Sequence, residues 1–219
     1  MKIVVLKFGG TSVADVPQIK KIALKIKEEV ELGNKVIVVV SAMSGVTNNL
    51  IDLVKHTSDF PPYSEYDNVL STGEQVTSAL LAIALERLNL RTRSWLGWQI
   101  PIVTDNTYGN SVIEKIDTDN ISTSLEHNEV AVVSGFQGVS SENKITTLGR
   151  GGSDTTAVAM AAAFSADRCD IYTDVDGVYT TDPRIVKRAK KLDIITYEEM
   201  LELASQGAKV LQARSVALA

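Results

Sequence analysis

Lys2-Ile3-Val4-Val5-Leu6 and, thirty residues on, Val36-Ile37-Val38-Val39-Val40 decide the fold class. Each is a short apolar run rich in β-branched residues, the pattern of a strand buried on both faces. Between them Ile19, Ile22, Ala23, Ile26 and Val30 recur at helical spacing and give one apolar face. Asp15 with Gln18 three residues on, and Pro17 in the first turn, mark the start of that helix; Gly33 marks its stop. Strand, helix, strand within forty residues is a βαβ unit, and such units build parallel sheets.

Working outward, the alternation continues. A turn at 41–45 leads to a helix at 47–55, and Asp59-Phe60-Pro61-Pro62-Tyr63 breaks the chain. A long helix is expected over 66–88, with Val69, Leu70, Val76, Leu80, Leu81, Leu85 and Leu88 on its buried side. Short strands are expected at 94–98 and 100–103, and a buried strand at 130–134 runs into Gly135-Phe136-Gln137-Gly138. Residues 145–148 lead to a glycine-rich turn, an Ala-rich helix at 153–165, a strand at 169–173, and helices at 198–205 and from Ala208 onward. No repeat, low-complexity tract or linker interrupts the pattern, so a single α/β domain is expected.

The 219 residues are 44% hydrophobic and 22% charged, enough for one sizeable core. The net charge of −5, with Lys and Arg scattered, points away from nucleic acid. No apolar stretch reaches membrane-spanning length, and the run at 3–6 is too short for a signal peptide; a cytoplasmic protein is the expectation. Cys169 is the only cysteine and reads as a core residue, while His56 and His127 read as surface, so no metal site is expected.

Thr146-Thr147-Leu148-Gly149-Arg150-Gly151-Gly152-Ser153-Asp154-Thr155-Thr156 carries the strongest chemical signal. A chain that turns on glycine and then opens a helix aims backbone N–H groups outward at an anion. Arg150 adds a forked cation suited to carboxylate or phosphate, and Asp154 adds a carboxylate beside it. The plainer alternative is a glycine turn with an ordinary N-cap. Lys7 ends the first strand just before Gly9 and Gly10, where α/β sheets bind ligands. The spacing is not the Walker pattern. Ser41-Ala42-Met43-Ser44-Gly45-Val46-Thr47 follows the second strand and can offer hydroxyls and N–H groups. Glu74 follows Gly73 inside the long helix, and a missing side chain there would leave that face open to a ligand whose ammonium Glu74 could pair. The segment 169–184 runs from a strand into a loop bearing Asp174, Asp176 and Asp182, suited to ribose hydroxyls, magnesium waters or bases. Its Asp-x-Asp-Gly lacks the bidentate acid of a calcium loop. Lys209 is a further cation.

Lys7-Phe8-Gly9-Gly10-Thr11-Ser12, Val40 to Gly45, Ser71-Thr72-Gly73-Glu74, Gly135 to Gly138, Gly149 to Asp154 and Asp174-Val175-Asp176-Gly177-Val178-Tyr179 stand in the order found in aspartokinases. With Gly207-Ala208-Lys209-Val210-Leu211, the chain resembles their catalytic domain, within the amino-acid kinase family, over all its residues. The resemblance implies a three-layer αβα sandwich around a mainly parallel central sheet, the amino-acid kinase or carbamate kinase-like fold. It implies one catalytic domain over 1–219, with about 1–140 serving the amino-acid substrate and about 141–219 the nucleotide. The activity implied is transfer of the ATP γ-phosphate to the β-carboxylate of L-aspartate with Mg2+, the entry to lysine, threonine, methionine and diaminopimelate.

By matching positions, Lys7 and Asp154 would be catalytic. Ser41, Thr47, Glu74, Arg150 and Ser153 would hold aspartate. Lys7, Phe8, Gly9, Gly10, Thr173, Asp174, Tyr179, Arg184, Lys209 and Val210 would hold ATP. The partners implied are L-aspartate and MgATP, with assembly as a homo-oligomer (a dimer) or with C-terminal regulatory domains, which this sequence stops before. Many relatives read His-Pro-Arg where Gln212-Ala213-Arg214 stands here. The alternatives are another kinase of the same fold, acting on glutamate or acetylglutamate, and an inactive fragment that binds ATP or an amino acid.

Overall fold

The computed structural model describes residues 1–207 and 210–219. Lys209 and the expected helix start at Ala208 lie outside the described residues. In chain order the first elements are β1 (Ile3–Phe8), α1 (Val16–Glu31), β2 (Lys35–Val40), α2 (Val46–Thr57), α3 (Tyr63–Leu70) and α4 (Thr72–Glu86). They are followed by β3 (Thr92–Trp95), β4 (Ile102–Thr104), β5 (Ile113–Ile116), α5 (Asp119–Glu126), β6 (Val130–Ser134), β7 (Gln137–Ser140) and β8 (Ile145–Thr147). The chain closes with α6 (Gly152–Ala163), β9 (Arg168–Tyr172), α7 (Tyr197–Ser205) and α8 (Ala213–Leu218).

Five strands form a wholly parallel sheet in the order β3-β6-β2-β1-β9. Alternate residues of these strands point to opposite faces. Val4, Leu6 and Phe8 of β1, with Val36, Val38 and Val40 of β2, pack under Ile19, Ile22, Ala23 and Ile26 of α1 and Leu81 and Leu85 of α4. Val5, Ile37, Val39, Ala131 and Val133 pack on the other face against Ile121 and Leu125 of α5 and Ala157 and Met160 of α6. Covering both faces explains why the strands read as unbroken apolar runs. The expected three-layer αβα arrangement with a mainly parallel sheet is present. A second sheet, in the order β5-β4-β7-β8, adds antiparallel pairs at β4–β5 and β7–β8.

The start of α1 is as expected: Asp15 accepts a hydrogen bond from the Gln18 N–H, and Gly33 beyond its end takes φ +84°. The single helix expected over 66–88 is two helices, α3 and α4, meeting at Ser71. Side chains intercept the backbone there. Ser71 Oγ donates to the Asn68 carbonyl, Thr72 Oγ1 to the Val69 carbonyl, and Gln137 Nε2 donates to the Ser71 carbonyl. The buried stripe of α4 consequently runs through Gly73, Glu74, Thr77, Ser78, Leu81 and Leu85, and Val76 is exposed. The last helix begins at Ala213. Cys169 is half-buried at the edge strand β9; burial and the nearby Asp170 and Asp154 carboxylates push its thiol up to about 11.

Candidate active site

The parallel strands deliver their carboxyl ends to one rim, and the hydrogen bonding runs one residue past each strand. Gly9 N–H donates to the Tyr172 carbonyl, Ser41 N–H to Phe8, and Gly135 N–H to Val40. The loops after β1, β2 and β6 therefore start side by side. Gly10 and Gly135 are required by this crowding. A Cβ on Gly10 would lie 3.0 Å from the Ala42 carbonyl oxygen, and one on Gly135 2.9 Å from both the Ser153 Cβ and the Val40 oxygen.

Lys7 has the odd parity of Val5, so it points to the α6 face rather than toward α1. There its ammonium meets the Asp154 carboxylate at 2.6 Å, both groups nearly buried. The approach is one of opposite charges rather than of an aligned hydrogen bond. The Lys7 Nζ lies 3.3 Å from where a Cβ of Gly9 would stand, so glycine leaves room for the ammonium over the loop. Phe8, of the opposite parity, is buried and stacked on Tyr172 at 4.8 Å.

Glu74 is 4% exposed. Its Oε1 accepts a hydrogen bond from the Ala42 N–H at 2.9 Å, while Oε2 is buried with no partner among the described residues. Burial pushes its carboxyl up to about 7, against the pull of the Ala42 bond. Gly73 beside it does not open the helix to a ligand. The space is filled by Ala42, whose Cβ would lie 2.8 Å from a Gly73 Cβ, and by Val46 and Leu50. The glycine lets the 41–46 loop close on α4 and reach Glu74.

An open cavity of about 630 Å³ joins these groups. Lys7, Gly10, Ser41, Thr47, Glu74, Arg150, Ser153 and Asp154 all line it. Two helices begin at it, α2 after Gly45 and α6 after Gly151, each glycine in the left-handed region and neither helix start capped by a side chain. Helix N-termini of this kind favour anions. The cavity thus offers one buried carboxylate for a cation, with an ammonium, a guanidinium and two helix ends for negative charge.

Thr173, Asp174, Tyr179, Arg184 and Val210 do not line this cavity. Thr173 and Asp174 follow β9 at the same rim, exposed, with Thr173 Oγ1 donating to Asp174 at 3.2 Å. Tyr179 donates to Asp176, and Arg184 forks onto Asp182. Three further features around the cavity were not singled out in the sequence. Ala42 contributes only its backbone. Phe136 lines the cavity at φ +69°, held by a bond from its N–H to Thr156 Oγ1. Arg214 Nη1 donates to the carbonyls of Leu148 and Ser111, and Gln212 packs on Gly151, so α8 braces the turn that bears Arg150. The Gly151 and Gly152 pair could have hinted at that close packing.

This frame and rim are those of the amino acid kinase family: the family model matches residues 2–219, and the chain belongs to it. Within the family its likeness is to aspartokinases. It is 53% identical to the aspartokinase of Rickettsia felis, covering 100% of this chain and 55% of the relative. It is 55% identical to an aspartate kinase of Stutzerimonas stutzeri, covering 100% of this chain and 53% of that one. The crystal structure of aspartate kinase from Synechocystis superposes with a TM-score of 0.86 at 48% identity, over 98% of this chain and 36% of that chain. E. coli aspartokinase III in complex with aspartate and ADP superposes with a TM-score of 0.88 at 28% identity, over 99% of this chain and 59% of that chain. The chain spans about half the length of the curated relatives it matches.

Proposed function

We propose that this chain transfers the γ-phosphoryl group of ATP to the β-carboxylate of L-aspartate, giving 4-phospho-L-aspartate and ADP. The observation that carries the reading is the single cavity in which Lys7, Asp154, Glu74 and Arg150 meet. Aspartate has one ammonium and two carboxylates, and the cavity offers one partnerless carboxylate oxygen against two cations and two helix ends. The likeness to aspartokinases, one of them solved with aspartate and ADP, supports the same assignment.

On this reading Glu74 takes the substrate ammonium. Arg150, Ser41, Thr47 and Ser153 take its α-carboxylate and orient the β-carboxylate. That carboxylate is already ionised at neutral pH, so its oxygen attacks Pγ without a general base. The new O–Pγ bond forms as the bond from Pγ to the β,γ-bridging oxygen breaks, and ADP leaves with the electron pair. Phosphoryl transfer of this kind needs positioning and charge neutralisation above all. Lys7 supplies the neutralising ammonium, and Asp154 fixes its position. ATP would lie along residues 7–10 and the segment of Thr173, Asp174, Tyr179, Arg184, Lys209 and Val210, mainly within 141–219.

No cluster of three metal-ligating side chains exists among the described residues. A magnesium ion brought in with ATP would be held chiefly by phosphate oxygens and water, with Asp174, exposed just after β9, a side chain that would reach it. When bound, such an ion neutralises charge on the triphosphate. The test is ADP release that depends on L-aspartate, with hydroxylamine trapping of the acyl phosphate, run beside glutamate and acetylglutamate. Folded protein with magnesium that gives neither signal overturns the reading; a stronger response to glutamate replaces the substrate.

A further inference from the structure

Asp67 is a buried carboxylate that phosphoryl transfer leaves unused. It has no exposed surface, and no ion pair among the described residues includes it. Its Oδ2 accepts from the Gly109 N–H at 2.9 Å and the Thr147 N–H at 2.8 Å, and its Oδ1 accepts from Thr147 Oγ1 at 2.8 Å. Burial raises its carboxyl while these three bonds lower it. A charge removed from water without a counter-ion is expensive, and here only neutral donors compensate it.

What these bonds join is two separate stretches of the cavity lining. Asp67 lies on α3, whose Tyr66 and Leu70 line the cavity, and the chain passes the Ser71 break to reach Glu74 in the first turn of α4. Thr147 ends β8 and also lines the cavity, and the chain passes Leu148 and Gly149 to reach Arg150. Gly109 belongs to the loop that is bonded to Thr147 through the Ser111 N–H. One carboxylate therefore ties the helix pair bearing the ammonium-binding acid to the strand end bearing the carboxylate-binding guanidinium.

We infer that Asp67 is a positioning residue that sets the separation of Glu74 from Arg150, and with it how closely the cavity fits the ammonium and α-carboxylate of the substrate. This rests on the proposed reading of those two residues as the substrate's charge partners. The clamp acts on the amino acid and leaves the nucleotide side untouched, since none of its three bonds reaches residues 173–184.

Steady-state kinetics on Asp67→Asn and Thr147→Val test it. Small displacements in a positioned site are amplified in rate and affinity. Asp67→Asn is expected to raise the KM for aspartate about tenfold and keep the KM for ATP within about twofold. Thr147→Val removes one donor and keeps both backbone N–H groups, so it shifts the same quantities less. It also carries the test if Asp67→Asn does not fold. Equal rises in both KM values, a fall in kcat alone, or no shift in Thr147→Val overturns the inference. Unsubstituted protein that ignores aspartate overturns the parent reading instead, which separates the two failures.

Discussion

Glu74 occupies a place where a carboxylate is hard to charge. Its carboxyl is raised from 4.5 to about 7, chiefly by burial. The folded state therefore holds the proton more tightly than the unfolded chain. Stability falls as pH rises from about 4.5 to about 7, and the penalty, on the order of 3 kcal/mol, is complete above that range. Glu74→Gln should be more thermostable than the unsubstituted protein at pH 8 and close to it at pH 5, by calorimetric unfolding. It should also bind aspartate far more weakly and lose the decline in kcat/KM for aspartate below pH 7. Equal melting temperatures at pH 8 would sink the assignment of a strained, charged acid. Lys7→Ala removes the ammonium paired to Asp154 among the described residues. It should lower kcat by about a hundredfold or more with the KM for aspartate little moved; near-normal turnover would remove Lys7 from the chemistry. Lys7, Glu74, Arg150 and Asp154 could be singled out because each charged side chain stands within two residues of a glycine, at Gly9, Gly73, Gly149 and Gly152. The Ala42 N–H and Phe136 were not, since a backbone donor and a left-handed φ leave no signature in those residue names.

At the scale of elements, the meeting of α4 with the 41–46 loop is the most exacting contact. Gly73→Ala should favour the helix by about 1 kcal/mol on propensity alone. The added Cβ would stand 2.8 Å from the Ala42 Cβ, which forces the loop away and loosens the Ala42 bond to Glu74. The expected outcome is a lower melting temperature and a higher KM for aspartate. Ala42→Gly combined with Gly73→Ala should restore much of both, and a double variant no better than the single one refutes the contact. The sequence correctly marked Gly73 as unusual, but the reason lies in a loop thirty residues earlier. The break at Ser71 was hidden for a similar reason: a serine and a threonine in a helix are ordinary until Gln137 from β7 takes the Ser71 carbonyl. The second sheet was missed where its strands are three or four residues long and half-exposed, too short for a period to register.

Across the whole molecule the two proposed ligands fall on unlike ground. The amino-acid cavity is walled by the packed residues of 7–154, whereas Arg184, Lys187, Arg188, Lys190 and Lys191 lie exposed on a segment without helix or extended strand. Trypsin should therefore cut first within 184–191. MgATP or a non-hydrolysable analogue should slow that cleavage several-fold, and aspartate alone should not; equal protection by aspartate would detach this segment from the nucleotide. The parallel sheet itself was readable from β1, α1 and β2, because strands covered on both faces must be apolar throughout.

The same two-sided burial has a consequence for errors of folding. In β1, Lys7 stands opposite Val39 and Ile171, and its neighbour Phe8 faces the other layer. A slip of one residue would drive an ammonium into hydrocarbon and leave a phenyl ring facing Asp154 in the cavity. Such a mispaired chain would lose its core and its cavity through one and the same displacement. A well-folded counterfeit with an emptied cavity is therefore hard to make by shifting the first strand.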